Sequence, residues 1–383
     1  MSKILVNIVG GQTQPNILMA KEIHHLYGTI NQLVLVYSQF TEKQFKLTQQ
    51  ACVGLTEEVV PIMVNEDDII DIQNKLTNNI TFEDGDELFV NITGGTKIMS
   101  IGVYDFFVKY SARIFYVVLG KNTYNQVFPR VKNKVNHFRY SLNLEEYLKG
   151  YGVNIANPDS LHRFIKEREV TTDFFEKVRL FEQKDWEAMD LIRQGFNGTT
   201  YRGKNIARKD AKSQNEQEIR DKIFNLLAQI EFPLEKQDNL SRKETKYLTG
   251  DWFEEYVYWN LKESLNLDEA YFGMGLQIRI GENETVDVPN ELDLALMLRN
   301  ELHIIECKTR LITTNGSNIL TDTLYKVDSL RTKFGLNVKA SIFTLASEDE
   351  VKRGIPRGKL NNINIVSFNQ IHDRKFLNDL FRI

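Results

Sequence analysis

The chain has 383 residues, 42% of them hydrophobic and 26% charged, with a formal net charge of −4. At roughly 150 residues per domain this length suits two or three domains, and the composition is ordinary for a soluble globular protein. No run approaches the ~18 consecutive apolar residues of a membrane span, Cys52 and Cys307 are too few for a disulfide framework or a zinc site, and the acidic balance excludes a global basic footprint, so any nucleic-acid contact must come from local patches and a metal.

Met1–Ser2–Lys3 runs straight into a buried-strand pattern with no signal peptide, which together with the sparse cysteines points to a reducing, cytoplasmic compartment. Short apolar runs rich in Val, Ile and Phe predict strands at Ile4–Val9, Gln32–Tyr37, Glu58–Val64, Glu87–Thr93 and Arg113–Leu119. Helical patterns lie between them near Pro15–Tyr27, Thr41–Gln50, Asp67–Asn78 and Thr96–Tyr110, with Pro15 suited to a first helical turn. Nearly continuous apolar strands separated by helices predict an α/β domain with a parallel, doubly wound sheet covered on both faces. Ligands of such sheets sit beyond the carboxyl ends of the strands. Two loops fall there: Gly10–Gly11–Gln12–Thr13 after the first strand, and Thr93–Gly94–Gly95–Thr96–Lys97 after the fourth. Paired glycines let backbone N–H groups approach an anion, and a helix N-terminus favours negative charge. Lys97 adds a point charge, while Gln12, Thr93 and Thr96 offer hydrogen bonds to a ribose or base. A glycine pair taken alone equally makes a plain tight turn; two such loops in one domain favour an anionic ligand. Neither loop has the spacing of a dinucleotide fingerprint or a P-loop.

From about Leu142 to Glu216 the pattern is helical and polar with no strong strand, giving a connector (142–216) between an N-terminal domain (1–141) and a C-terminal one (217–383). Thr199–Lys212 is locally basic and reads as a solvated connector or a phosphate-backbone contact. Helices are predicted at Glu218–Ile230 and Asp251–Leu261. Trp252, Phe253, Tyr256, Val257 and Leu261 form the buried stripe of the second, with Glu254 beside them as a candidate third acid.

The most informative stretch follows. Glu291–Leu298 alternates leucines with polar or small residues, Arg299–Asn300–Glu301 reads as a hairpin turn, and Ile304–Ile305–Glu306–Cys307–Lys308 forms the returning strand. Alternation puts Glu306 and Lys308 on one face and Cys307 on the other. Such a hairpin sets Asp293 across from about Glu306–Lys308, converging two carboxylates and an ammonium. Carboxylate oxygens suit a hard Mg²⁺ or Mn²⁺ ion, and the lysine can orient water or neutralise charge on a transferring phosphate. An isolated acid–X–Lys tripeptide is common on solvated strand faces; the upstream Glu291–Leu292–Asp293 makes the combination specific. A helix near Asp322–Phe334 and strands near Val338–Leu345 and Ile363–Phe368 complete the pattern. Lys326 in that helix is placed to approach a substrate phosphate, although an exposed helical lysine is ordinarily just solvated. The six histidines do not cluster; His303, on the face opposite Glu306, reads as structural, as does Cys307.

Gly250–Asp251–Trp252–Phe253–Glu254, Asn290–Glu291–Leu292–Asp293 and Glu306–Cys307–Lys308, in this order, resemble the PD-(D/E)xK nuclease superfamily, with Leu292 in place of the motif's proline. The N-terminal half, with Thr93–Lys97, resembles the Rossmann-like CARF sensor domains of type III CRISPR systems. The pairing resembles their CARF–nuclease ancillary effectors. That resemblance implies a homodimer binding a cyclic oligoadenylate, often cyclic tetra-adenylate, across its CARF interface, with ligand residues at Gly10, Gly11, Gln12 and Thr13 and at Thr93, Gly94, Gly95, Thr96 and Lys97. It implies a restriction-endonuclease-like C-terminal domain with Glu254, Asp293, Glu306 and Lys308 as catalytic residues and Glu291 as a supporting acid. The divalent metal (Mn²⁺ or Mg²⁺) would be held by Asp293, Glu306, the main-chain carbonyl of Cys307 and Glu254. The implied substrate is single-stranded DNA, RNA or supercoiled DNA. Two rivals stand beside this endonuclease: a ligand-sensing regulator that binds nucleic acid without cutting, and a ring nuclease that degrades its own cyclic ligand through Lys97 and the loop hydroxyls.

Overall fold

The computed structural model describes residues 1–131, 135–156, 175–180, 192, 205–229, 232–280, 290–311 and 318–382. The five expected N-terminal strands form at Lys3–Ile8 (β1), Ile30–Tyr37 (β2), Thr56–Met63 (β3), Glu87–Asn91 (β4) and Arg113–Val118 (β5), and pair in parallel. Helices Gln14–Tyr27 (α1) and Glu42–Ala51 (α2) pack on one face, and Ile69–Asn79 (α3) and Lys97–Val108 (α4) on the other. The sheet is mixed rather than wholly parallel, because Thr123–Phe128 (β6) and Val135–His137 (β7) extend it antiparallel in the order β3-β2-β1-β4-β5-β6-β7. β6 is buried only at Thr123 and Tyr124, and the edge strand β7 is largely exposed, so neither has the apolar run that marks a strand covered on both faces. The chain leaves β1 toward β2 on one side and β4 toward β5 on the other, so the carboxyl ends of β1 and β4 flank the topological switch point.

After Leu144–Gly150 (α5), the expected helical connector opens with a strand, Val153–Ile155 (β8), which pairs antiparallel with a strand of the second sheet. Three residues are too few to show an alternation pattern. Residues 157–174, 181–191 and 193–204, including the first part of the basic stretch, lie outside the described residues. From its described part, Arg208 pairs with Asp221 at 2.7 Å.

The C-terminal domain adds the short strands Ile206–Ala207 (β9) and Asn239–Leu240 (β10) and the helices Gln214–Gln229 (α6), Arg242–Lys246 (α7) and Trp252–Leu265 (α8). Its central strands are Phe272–Ile280 (β11), Asn290–Leu298 (β12), Glu301–Lys308 (β13), Lys339–Thr344 (β14) and Ile363–Ser367 (β15). They are joined by Ile319–Arg331 (α9) and Glu348–Leu360 (α10), and stand in the order β15-β14-β13-β12-β11-β8. α8 buries Phe253, Val257 and Leu261 against Leu294, Leu296, Ile305 and Cys307. On the other face α9 buries Leu320, Leu324 and Val327 against Ala340 and Ile342. Each such side chain stabilises the packing by about 1.5–3 kcal/mol.

The turn between β12 and β13 has φ of 50° at Arg299 and 62° at Asn300. Two left-handed residues make a two-residue hairpin turn whose twist matches the strands, and asparagine tolerates that conformation well. Asn300 is also the seam between the domains. Its side chain accepts from Leu142 N (2.7 Å) and donates to Asn122 Oδ1 (2.7 Å) and Tyr140 O (3.1 Å), while the Gln14 amide donates to its carbonyl. Among the described residues no helix is long and apolar enough to cross a membrane.

His303, expected to be structural, is buried beside the Phe381 ring (5.2 Å between centroids). Burial, reinforced by the charges of Lys339 and Arg382, lowers its pKa from 6.5 to about 3. A base held neutral in the fold lends stability that is present above its unfolded pKa and is lost as pH falls from 6.5 toward 3, at up to about 1.4 kcal/mol per pH unit. In urea unfolding between pH 6.5 and 4, His303→Phe is expected to flatten the fall in stability by that slope; an unchanged slope would assign the acid sensitivity to other groups.

Candidate active site

The two glycine loops meet. A Cβ added at Gly10 would lie 2.6 Å from Gly95 N, and one at Gly94 only 2.0 Å from Ile8 O, so glycine is what lets the loops close on each other. Beneath them lies a wholly buried set of amides. Asn91 donates to Asn7 Oδ1 (3.1 Å) and Asn16 Oδ1 (3.0 Å), and Asn16 donates to Ile8 O (3.0 Å). Satisfied buried amides rigidify a site. No periodicity reveals them in the sequence, although asparagines inside apolar strands were a usable signal. The expected ligand residues take different environments. Gly11, Gly95, Thr96 and Lys97 are exposed and Gly10 is buried. Thr13 is buried, its hydroxyl donating to Gly150 O (2.6 Å). Thr93 donates to Asn91 Oδ1 and accepts from Val117 N (2.7 Å). The Thr96 hydroxyl donates to Glu66 O (2.9 Å) and caps α4 at Met99 N (3.2 Å). Gln12 reaches into the other domain, its Oε1 accepting from Leu336 N (2.9 Å) and from Tyr151 OH (3.1 Å).

At the far end of the β12–β13 hairpin, Leu294 pairs with Ile305, which sets the next residues, Asp293 and Glu306, side by side. Both are buried, at 6% and 2% exposure. Asp293 Oδ2 accepts from Cys307 N (2.8 Å), pinning the carboxylate. Lys308 Nζ gathers three oxygens: Glu306 Oε1 at 2.6 Å, Cys307 O at 3.2 Å and Asp293 Oδ2 at 3.7 Å. Lys326 from α9 contacts both Glu306 oxygens, at 2.7 and 2.9 Å. Burial, and then the neighbouring charge of Glu306, pushes the Asp293 carboxyl up to about 6. Burial alone would lower the Lys308 ammonium, but the charges of Asp293 and Glu306 outweigh it and raise its pKa. Burial, then the charges of Asp293, Glu254 and Glu306, raises the Cys307 pKa well above the ordinary thiol value and keeps it a core thiol.

The oxygens around Lys308 Nζ are those of two carboxylates and one main-chain carbonyl, and they already close on a cationic centre. Hard oxygen donors of this kind fit Mg²⁺ or Mn²⁺. Glu254 approaches from another element, and its charge acts on Cys307 beside those of Asp293 and Glu306. It is buried on α8, which packs on the Cys307 face of the sheet, whereas Asp293, Glu306 and Lys308 face α9. Among the described residues no three His, Cys, Asp or Glu side chains gather closely enough to form a metal cage. Glu291 pairs instead with Lys246 (3.4 Å), which also lies 3.7 Å from buried Asp251 in the π-helical turn before α8. Lys326 was legible only as a lysine near a phosphate; the alternation and spacing rules do not reveal its contact with Glu306.

Residues 4–147 match the family model of the Card1 CARF domain, and residues 241–382 that of the Card1-like endonuclease domain. The protein is therefore a sensor-linked endonuclease: a Card1 CARF domain followed by a Card1-like endonuclease domain. No curated protein gives a significant match. Among solved structures, protein VC1899 from Vibrio cholerae shares the fold at a TM-score of 0.73 and 16% identity, over 99% of this chain and 98% of that one. Can2 from Sulfobacillus thermosulfidooxidans, in complex with cyclic tetra-adenylate, matches at 0.72 and 20% identity, over 98% of each chain. A type III CRISPR defence DNA nuclease activated by cyclic oligoadenylate matches at 0.52 and 15% identity, over 91% of this chain and 46% of that one. At these identities the likeness is one of fold.

Proposed function

We propose that this chain is a cyclic-oligoadenylate-activated, divalent-metal-dependent endonuclease that cuts DNA or RNA phosphodiester bonds in CRISPR antiviral defence, acting as a homodimer. The observation that carries the reading is the convergence of Asp293, Glu306, Lys308 and the Cys307 carbonyl on one face of an endonuclease-family sheet. Asp293, Glu306 and the carbonyl would hold the ion. Mg²⁺ or Mn²⁺ bound there supplies Lewis-acid polarisation and a more acidic water. Lys308 Nζ then serves to orient the attacking water and to offset negative charge developing on the phosphate oxygens. Asp293 must be ionised to take part, and its pKa of about 6 leaves it largely so at neutral pH.

Cyclic tetra-adenylate is proposed as the activator, bound at the Gly10–Thr13 and Thr93–Lys97 loops. The fold shared with the cyclic tetra-adenylate complex of Can2 supports this. A two-fold ligand suits an isologous dimer interface. Gating follows from the seam. Gln12 lies in the first loop and also accepts from Leu336 N, just past α9; Gln14, next along, holds the Asn300 carbonyl. A ligand that reorganises this loop acts on both joints at once, and shifts the nuclease only by its differential affinity for the two arrangements.

The test is cleavage of labelled single-stranded DNA, RNA and supercoiled plasmid in Mn²⁺, with and without cyclic tetra-adenylate. Ligand-dependent cutting is expected, and Glu306→Ala is expected to lower it by at least a hundredfold, within the ~10²–10³ range for loss of a charge-stabilising group. Equal cutting without ligand would remove the gating, and no cutting with ligand still bound would leave a sensor alone. Asn300→Gly keeps the left-handed turn but deletes the side-chain joint. It is expected to bind cyclic tetra-adenylate like wild type while the ratio of activated to basal cleavage falls toward one; an unchanged ratio would place the coupling elsewhere.

A further inference from the structure

We propose that Lys326 is a positioning residue for the cleavage reaction, linking occupancy of the carboxylate pair by a divalent cation to occupancy of the same site by a phosphodiester. The inference rests on the reading of Asp293 and Glu306 as cation ligands. Lys326 Nζ holds both Glu306 oxygens, at 2.7 and 2.9 Å, and Lys308 Nζ shares Oε1 at 2.6 Å. The four side chains Asp293, Glu306, Lys308 and Lys326 thus form a set with two negative and two positive formal charges. A divalent cation entering this balanced set meets the Lys326 ammonium on the oxygens it needs, and leaves the site with an excess of two positive charges if both lysines stay.

The two lysines are not equally free to move. Lys308 is anchored additionally by the Cys307 carbonyl and Asp293, and its side chain is 30% exposed. Lys326 hydrogen-bonds to Glu306 from the surface of α9, with its side chain 44% exposed. A flexible four-carbon stem lets its ammonium swing away at small cost. Lys326 is therefore the cation that yields Glu306. Once displaced, it becomes a charged donor beside the site, suited to a non-bridging phosphate oxygen. Cation and phosphodiester both favour the arrangement in which Lys326 has left Glu306, so each must strengthen the binding of the other by the same factor. Glu306 then tends to be fully charged with metal only when substrate is present.

Isothermal titration of Mn²⁺ into the full chain, with saturating cyclic tetra-adenylate in every arm, reads this directly. The variants are Lys326→Met, Lys326→Arg and Glu306→Ala, each with and without a short phosphorothioate single strand that resists cleavage. Without oligonucleotide, Lys326→Met is expected to bind Mn²⁺ about tenfold more tightly than wild type, a difference of ~1.4 kcal/mol. The oligonucleotide is expected to tighten Mn²⁺ binding about tenfold in wild type and in Lys326→Arg, and less than twofold in Lys326→Met. Cleavage by Lys326→Met is expected to slow at saturating Mn²⁺ despite the tighter ion. Equal Mn²⁺ affinities in wild type and Lys326→Met, with Glu306→Ala unable to bind, would overturn the role of Lys326 alone. Mn²⁺ binding unchanged in Glu306→Ala would overturn the carboxylate site and this proposal together.

Discussion

The pairing of Leu294 with Ile305 fixes where Asp293, Glu306 and Lys308 point. Strand side chains alternate, so a slip of one residue between β12 and β13 would move Glu306 and Lys308 to the α8 face and bring Cys307 to the α9 face. The two-residue turn at Arg299–Asn300 prevents that slip, because its length and its two left-handed residues admit one register. The same asparagine is held by Asn122, Tyr140 and Gln14 of the first domain and by Leu142, which opens the connector. One turn thus sets the geometry of the acid–lysine patch at one end of the hairpin and ties the CARF domain to it at the other.

The cost of the site is electrostatic. Two carboxylates buried side by side repel each other and lose hydration, which is why the Asp293 carboxyl rises to about 6. Two lysines and the Cys307 N–H compensate. Removing one member of such a set leaves an uncompensated buried charge, whereas adding a cation and an anionic substrate together preserves the balance. On the proposed reading, that balance is what suits the acid–lysine patch to a metal ion and a phosphate together.

Much of this was legible in the sequence, and the parts that were not have physical reasons. The hairpin, its facing and the five apolar strands follow from alternation and hydrophobic runs. β11 was hidden by Gly273 and Gly275, residues that weaken a strand signal; Gly275 has a positive φ of 58°. α10 contains Gly354, Pro356 and Gly358, which read as breakers. There the absence of side chains serves packing, since a Cβ at Gly354 would lie 2.8 Å from Leu320 and one at Gly358 would lie 2.6 Å from Ile363 O. Where Glu254 stands relative to the other acids does not follow from spacing along the chain, which does not tell which sheet face a helix covers. The roles of Lys326 and of the Asn7–Asn16–Asn91 set depend on tertiary neighbours that no local pattern encodes.

The most direct measurement is amide hydrogen exchange on the full chain with and without cyclic tetra-adenylate. If the sensor loops and the cutting site are joined through Gln12, Gln14 and Asn300, ligand should change exchange at 10–14 and 93–97 and also at 299–308 and 334–337. A change confined to the CARF loops, with the hairpin and the segment after α9 unaffected, would contradict that joint.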